Sequence, residues 1–325
     1  MIEIIDPVTK QSLIENALGL VNSKGEVTYA LSDGAYRLVS NDNYTSNFGL
    51  EWNTFQKTQI DKFSGNTVSE DRFFAQTLWH KGGLEGQTLL EVGSGAGRFS
   101  QIILDHTKAF LYSVDYSTAV EANYRNNGPH ERLKLFQASI YDLPFKKESF
   151  DKVICLGVLQ HTPDFKASVK ALVEMVKPGG ELVIDFYPIK NILTKVHGKY
   201  LLRPFLKRMK HERLMSLIRN NVDTLISIYK FNKRIGLGVL NRFVPICEIE
   251  RTLPSGMAPY QLREWVILDT FDMFSPEYDQ PQRLSTVAAW VKEFGMVDVD
   301  AVWVTYHGTL EAATVRARKD YNLKK

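Results

Sequence analysis

Through the middle of the chain, short apolar runs alternate with stretches whose apolar residues recur at helical spacing. Leu89-Leu90-Glu91-Val92 leads into Gly93-Ser94-Gly95-Ala96-Gly97, and Arg98-Phe99 opens a helical pattern with Phe99, Ile102 and Ile103 on one face. Ala109–Val114, Leu133–Ala138, Phe150–Gly157 and Glu181–Tyr187 are further apolar runs of strand length. Between the last two, Phe165, Val169, Leu172, Val173 and Val176 share a helical face closed by Lys177-Pro178-Gly179-Gly180. Strand-length runs separated by helices predict an α/β fold with a parallel sheet covered on both faces, because parallel strands need crossover connections. Leu284–Phe294 reads as a helix stopped by Gly295. Val297–Thr305 and Thr309–Arg318 then read as a hairpin around Tyr306-His307-Gly308.

Outside this middle the pattern changes twice. Residues 1–43 hold short strand-like pieces broken by glycine and Asx, which predict a small β module. Residues 44–85 predict a helical lead-in with an aromatic stripe of Tyr44, Phe48, Trp52 and Phe55, which packs on the core in its plainest reading. Residues 86–188 are the alternating core, and 284–325 complete it. Residues 189–283 are too long for a loop and predict a helical cap, with Ile192, Leu193, Val196, Tyr200, Leu202, Phe205, Leu206 and Met209 at helical spacing.

Charge sharpens the picture of the cap. Lys190 to Arg242 holds thirteen Lys/Arg against Glu212 and Asp223, a net of +11, whereas the whole chain carries +3, leaving −8 elsewhere. A cationic amphipathic cap suits a phosphate-bearing small molecule or an anionic membrane surface, and a solvated basic face is the bland alternative. No apolar run approaches membrane-spanning length, and MIEIIDPVTK lacks the basic and apolar regions of a secretory signal. Cys155 and Cys247 alone make neither a disulfide framework nor a zinc site, so a reducing, cytoplasmic setting is expected.

The candidate chemistry gathers at the carboxyl ends of the predicted strands, where open α/β sheets bind ligands. The glycines permit close approach of a ligand to backbone, and the helix amino end offers N–H groups to an anion. Asp115 ends the second strand and can accept from ribose hydroxyls; capping of the next helix at Ser117 is its alternative role. His161 follows the fourth strand and suits a general base.

Glu91, two places before the GxGxG of Gly93, Gly95 and Gly97, resembles the first motif of the class I S-adenosylmethionine-dependent methyltransferases, of the kind called type 11. The resemblance is strong over 86–188 and loose over 189–260. It implies a seven-stranded Rossmann-like core and S-adenosylmethionine as cofactor. The cofactor residues it implies are Glu91, Gly93, Ser94, Gly95, Gly97, Arg98, Asp115, Tyr116, Ser139, Ile140 and Leu156. Ser139 stands where the family has an acidic residue facing the adenine amino group, a departure that weakens that contact. His161 is similar to the second histidine of an L-H-H-T-x-D segment, with Gln160 at the first. The stretch around Trp52 and Gln59 is similar to one that covers the cofactor in relatives. Asp272, Tyr278 and Asp279 lie in a segment similar to D-T-F-D-x-F-S-P-x-Y, which comes near the acceptor; with Tyr187 they are the candidate substrate contacts. Residues 1–43 resemble a zinc-ribbon-like module, but Asp6-Pro7-Val8-Thr9 replaces its CPxC knuckle, so no metal is expected. The activity implied is methyl transfer to an oxygen or nitrogen of a small anionic metabolite, such as a sugar or lipid-linked phosphate compound. Methylation of RNA, and a non-catalytic cofactor-binding role, are the alternatives. DNA is not an expected partner.

Overall fold

The structure, a computed structural model, describes residues 2–190 and 197–321; Ile192, Leu193 and Val196 of the predicted cap pattern lie outside the described residues. The strands are β1 (Ile4–Ile5), β2 (Ser12–Asn16), β3 (Gly19–Val21), β4 (Val27–Ser32), β5 (Ala35–Arg37), β6 (Thr88–Val92), β7 (Phe110–Asp115), β8 (Leu133–Gln137), β9 (Phe150–Cys155), β10 (Val176–Phe186), β11 (Met296–Tyr306) and β12 (Leu310–Lys319). Among the described residues they join in one sheet, ordered β1-β2-β3-β4-β5-β8-β7-β6-β9-β10-β12-β11. β8, β7, β6, β9 and β10 run parallel, and β12 returns antiparallel between β10 and β11. Helices α4 (Arg98–His106), α5 (Val120–Asn127) and α6 (Phe165–Met175) make the crossovers, as the alternating pattern requires.

The sheet is larger than the expected core, because the strands of the amino-terminal module join it. Ala35 to Arg37 of β5 pair in parallel with Leu135 to Gln137, so the amino-terminal module continues the sheet instead of standing apart. An open β8 edge would expose unpaired N–H and C=O groups, and β5 covers them. The knuckle turn of the module is closed by a side chain: Asp6 Oδ1 accepts from the N–H groups of Val8 at 2.7 Å and Thr9 at 3.1 Å. Among the described residues no group of three or more His, Cys, Asp and Glu is placed to hold a metal ion.

Both faces of the sheet are covered. On one face Phe136, Phe145, Phe150 and Val169 pack with Val287 and Val291 of α11 (Leu284–Glu293). On the other, Phe99, Ile102 and Ile103 of α4 pack with Phe73 and Trp79. The lead-in forms α1 (Ser46–Thr54), α2 (Asp61–Ser64) and α3 (Val68–Thr77). Arg72 and Gln76 of α3 both donate to Asp185 Oδ2 of β10, which fastens the lead-in to the sheet.

The cap forms α7 (Gly198–Leu206), α8 (His211–Arg234), α9 (Ile249–Thr252) and α10 (Pro259–Phe274). It has its own apolar core, in which Leu214, Met215, Ile218 and Val222 of α8 meet Val266, Phe271 and Phe274 of α10. Phe55 and Val68 of the lead-in join that core, so cap and lead-in clasp each other above the strand ends. Part of the cap's positive charge is neutralised: Lys199 pairs with Asp279, Lys207 with Glu277 and Lys233 with Glu250 within the cap, and Lys190 with Glu311 of β12. Among the described residues no helix is long and apolar enough to cross a membrane.

Candidate active site

β6 delivers the chain into the glycine turn, where Gly93, Gly95 and Gly97 all have positive φ, at 83°, 53° and 85°. Space as well as conformation restricts all three, most severely Gly93, where a Cβ would stand 2.2 Å from Val158 Cγ2, and Gly97. A Cβ on Gly97 would stand 2.2 Å from Asn123 Oδ1 and Asn127 Nδ2 of α5, and one on Gly95 would stand 3.1 Å from the Trp52 ring. Trp52 therefore lies against the turn. The Ser94 side chain is buried, and its hydroxyl has no hydrogen-bond partner among the described residues.

Asp115 closes the turn from the end of β7. Its Oδ2 accepts from the Gly95 N–H at 2.8 Å, while Oδ1 accepts from the Ser117 N–H at 2.8 Å and hydroxyl at 2.7 Å. One oxygen thus faces the glycine turn and the other holds the Ser117 turn, while the N-cap of α5 is Ala119, so Asp115 does not cap that helix. Burial raises its carboxyl above the ordinary range, against the lowering pull of these bonds.

Glu91 lies beneath the turn and not in the crevice. It is 3% exposed, and its Oε2 accepts from the hydroxyls of Ser100 and Ser113. Burial pushes its carboxyl up to about 7, with those hydroxyls opposing. Arg98, first residue of α4, turns toward the lead-in: Nε donates to Ser69 Oγ at 2.7 Å and Nη1 to Gln59 Oε1 at 3.0 Å. Burial and the nearby Arg72 bring its guanidinium down to about 10.

The adenine-side candidates occupy the strand ends beyond Asp115. Tyr116 stacks at a tilt on Tyr44, centroids 5.2 Å apart, and its carbonyl accepts from Asn43. The Ser139 hydroxyl accepts from the Tyr141 N–H at 3.2 Å, and Ile140 and Leu156 are buried apolar wall.

His161 ends a short 3-10 turn, Leu159–His161, after β9 and is 6% exposed. Its Nδ1 lies 3.1 Å from the Tyr278 carbonyl oxygen, which can only accept, so Nδ1 carries the hydrogen and Nε2 is left as the basic nitrogen. Nε2 is 3.6 Å from Asp272 Oδ1. Phe48 and Tyr187 fix the ring, with centroids 5.2 and 5.5 Å away. The Tyr187 hydroxyl donates to Asp272 Oδ2 at 2.7 Å. Tyr187 is 38% exposed, but desolvation at its hydroxyl end and the Asp272 carboxylate hold that hydroxyl above its ordinary range, so it stays protonated. His161, Tyr187, Asp272 and the Tyr278 backbone therefore meet at one point.

Gln160 is fully buried and structural, donating to the Gly157 carbonyl at 2.9 Å and accepting the Gln280 N–H on its own carbonyl. Asp279 anchors α7, its Oδ2 lying 2.8 Å from Lys199 Nζ and 3.8 Å from Arg203 Nε, and Lys199 in turn lies over the Tyr187 ring.

Two carboxylates of the crevice escaped the sequence reading. Glu51 sits in a helix whose aromatic stripe dominates the pattern, and nothing around it marks it as buried. Asp269 closes the apolar run Trp265–Leu268, a signal that could have singled it out.

Comparison with known proteins fits this geometry. A family described as "Methyltransferase domain" matches residues 90–184, from β6 to β10. The ubiquinone biosynthesis O-methyltransferase of Coxiella burnetii is 30% identical over 101 residues, which are 30% of this chain and 43% of that protein. The tRNA U34 carboxymethyltransferase of Campylobacter curvus is 26% identical over 123 residues, 37% of this chain and 40% of that one. The chain spans less than half the length of either relative. A solved structure of the Haemonchus contortus phosphoethanolamine N-methyltransferase 2, with phosphomonomethylethanolamine and S-adenosylhomocysteine, superposes with TM-score 0.50 at 12% identity, over 87% of this chain and 60% of that one. Residues 90–184 thus match a methyltransferase domain, within a chain that carries the α/β methyltransferase fold.

Proposed function

We propose that this protein transfers a methyl group from S-adenosylmethionine to an oxygen or nitrogen of a small acceptor bound beneath the cap. The observation that carries the reading is the meeting of two groups over the carboxyl ends of β6, β7, β9 and β10. One is the glycine turn tied to Asp115 through the Gly95 N–H. The other is His161 with Tyr187 and Asp272. The turn suits the cofactor because its glycines bring bare backbone to the ends of the strands, and the buried Ser94 hydroxyl has no partner among the described residues.

When bound, S-adenosylmethionine supplies a sulfonium methyl, an electrophile that needs alignment more than activation. The glycine turn, Ser94 and Arg98 would hold its methionyl end, Asp115 its ribose, and Tyr116, Ser139, Ile140 and Leu156 its adenine. Trp52 and Phe48 close the crevice against water. His161 accepts at Nε2 the proton that an O–H or N–H acceptor gives up, while the Tyr278 carbonyl keeps the tautomer correct. Tyr187 and Asp272 orient the imidazole and the acceptor.

The acceptor is read as small and phosphate-bearing. Arg208, Lys210 and Arg213 are exposed at the junction of α7 and α8, beside Leu201 and Phe205, which are 66% and 74% exposed. Cations flanking exposed apolar side chains suit an anionic surface, so a lipid-linked phosphate fits both features. The test is transfer from methyl-labelled S-adenosylmethionine to pooled phosphate metabolites, lipid-linked sugar phosphates and bulk tRNA. Label in a small molecule or lipid supports the reading; label in tRNA alone replaces the acceptor class; label in neither, with tight cofactor binding, favours a non-catalytic role.

A further inference from the structure

Three carboxylates converge beneath the cap. Glu51 comes from α1, while Asp269 and Asp272 stand three positions apart on α10 and share one face. Glu51 is fully buried, and neither of its carboxyl oxygens has a hydrogen-bond partner among the described residues. The charged groups acting on it are Asp272 and Asp269, both of its own sign. Buried polar groups are nearly always partnered, and each exception asks for an explanation.

The surroundings show where the three groups face. Gln59 bridges two of the walls: its Nε2 donates to Asp269 Oδ1 at 3.4 Å and its Oε1 accepts from Arg98 at 3.0 Å. Asp272 receives the Tyr187 hydroxyl and lies 3.6 Å from His161 Nε2. Trp52, next to Glu51, lies on Gly95. Asp269 therefore lies toward the glycine turn, through Gln59 and Arg98, and Asp272 toward His161, with Glu51 buried among them. Burial and Asp272 push the Asp269 carboxyl up to about 8, with Arg98 and Arg72 opposing. Burial and the two aspartates push Glu51 well above the usual range.

A cation arriving among them would relieve this mutual repulsion. A metal ion is a poor candidate, because no group of three or more His, Cys, Asp and Glu among the described residues is placed to hold one. An ammonium group asks less of the geometry: its three N–H donors can each take a separate carboxylate in a charge-assisted bond. We propose that Glu51, Asp269 and Asp272 form the receiving site for an ammonium group beside the reacting centre. The site itself stands on the carboxylate geometry, and only the source of the ammonium rests on the methyltransferase reading. The two sources are an amine on the acceptor and the amino group at the methionyl end of the cofactor.

Calorimetric titration of S-adenosylhomocysteine, and of its analogue lacking the α-amino group, into wild type, Glu51→Gln and Asp272→Asn separates the sources. Thermal shifts of the S-adenosylhomocysteine-loaded proteins with ethanolamine, phosphoethanolamine and ethylene glycol complete the test. If the cofactor supplies the ammonium, wild type prefers the amino compound at least tenfold and both variants erase the preference. If the acceptor supplies it, S-adenosylhomocysteine binds all three proteins alike, and the two amines, but not ethylene glycol, raise the wild-type melting temperature and leave the variants unmoved. Glu51→Gln puts a neutral group of the same shape where a buried carboxyl has no partner among the described residues, and Asp272→Asn keeps an oxygen that can accept from the Tyr187 hydroxyl, so both variants should fold. Absence of any amine preference in wild type, or a preference retained in both variants, overturns the ammonium site. If wild type binds no S-adenosylhomocysteine, the methyltransferase reading fails by itself, and the amines titrated into the unliganded protein decide the site.

Discussion

The glycine-turn half of the sheet and the cap above it are built by different rules. In the sheet half, backbone geometry carries the chemistry: strands end at fixed heights, the turn needs glycine, and Asp115 is held by three hydrogen bonds. In the cap, side chains do the positioning: α10 brings Asp269 and Asp272 to the crevice on one face while Val266, Phe271 and Phe274 anchor it in the cap core. A crevice made this way keeps one wall constant and lets the other vary, which suits an enzyme whose cofactor is fixed and whose acceptor is particular.

The largest effect should come from the joint between the two halves. Asp185 accepts from Arg72, Gln76 and the Gly157 N–H, and it is 2% exposed. Asp185→Asn leaves the Arg72 guanidinium buried without its counter-charge, so it should destabilise the fold by about 3–5 kcal/mol in urea unfolding. A loss below about 1 kcal/mol would mean that lead-in and sheet are held together by the apolar core alone.

Next is the carboxylate beneath the turn. Burial pushes Glu91 up to about 7 in the folded protein, above its ordinary range near 4.5. The unfolded chain ionises first, so stability should fall as pH rises from about 4.5 to 7 and then level off, a drop of roughly 3 kcal/mol. Glu91→Gln should remove that slope and be the more stable protein at pH 8. Parallel melting-temperature profiles for the two proteins from pH 5 to 8 would show that Glu91 is not the group responsible.

Asp115→Ala removes the acceptor of the Gly95 N–H and, in the proposed reading, of the ribose hydroxyls. Cofactor binding should weaken by roughly 1.5–3 kcal/mol, the range for charge-assisted hydrogen bonds. Unchanged affinity in calorimetry would remove Asp115 from the site.

The smallest change in the fold should follow alteration of the cap surface. Replacing Arg208, Lys210 and Arg213 by glutamine should leave stability within about 0.5 kcal/mol. The acceptor KM should rise severalfold and its salt dependence should flatten, since screening acts on those charges. Steady-state kinetics over a salt series decides between recognition and a solvated basic face.

Much of the sheet half was legible from residues alone. Apolar runs such as Leu89–Val92 and Val153–Cys155 are buried on both faces, so their pattern reports the strand directly, and the glycines are imposed by φ and by Val158, Asn123 and Trp52. The β5–β8 pairing was hidden because Ala35–Arg37 is too short to give a period. The cap's charge was visible, but the ion pairs of Lys199 and Lys207 with Asp279 and Glu277 join residues about seventy to eighty positions apart, beyond any local pattern. Glu51 shows the limit most clearly. Its burial depends on α10 lying across α1, a contact that no spacing within α1 reveals.

The central claim is that the glycine turn and Asp115 receive S-adenosylmethionine, and equilibrium dialysis of the wild-type protein against methyl-labelled cofactor tests it most directly. The account predicts saturable binding of one equivalent per chain, displaced by S-adenosylhomocysteine. A folded protein that retains no label at cofactor concentrations near 1 mM, the upper end of the usual range for enzyme ligands, would contradict it.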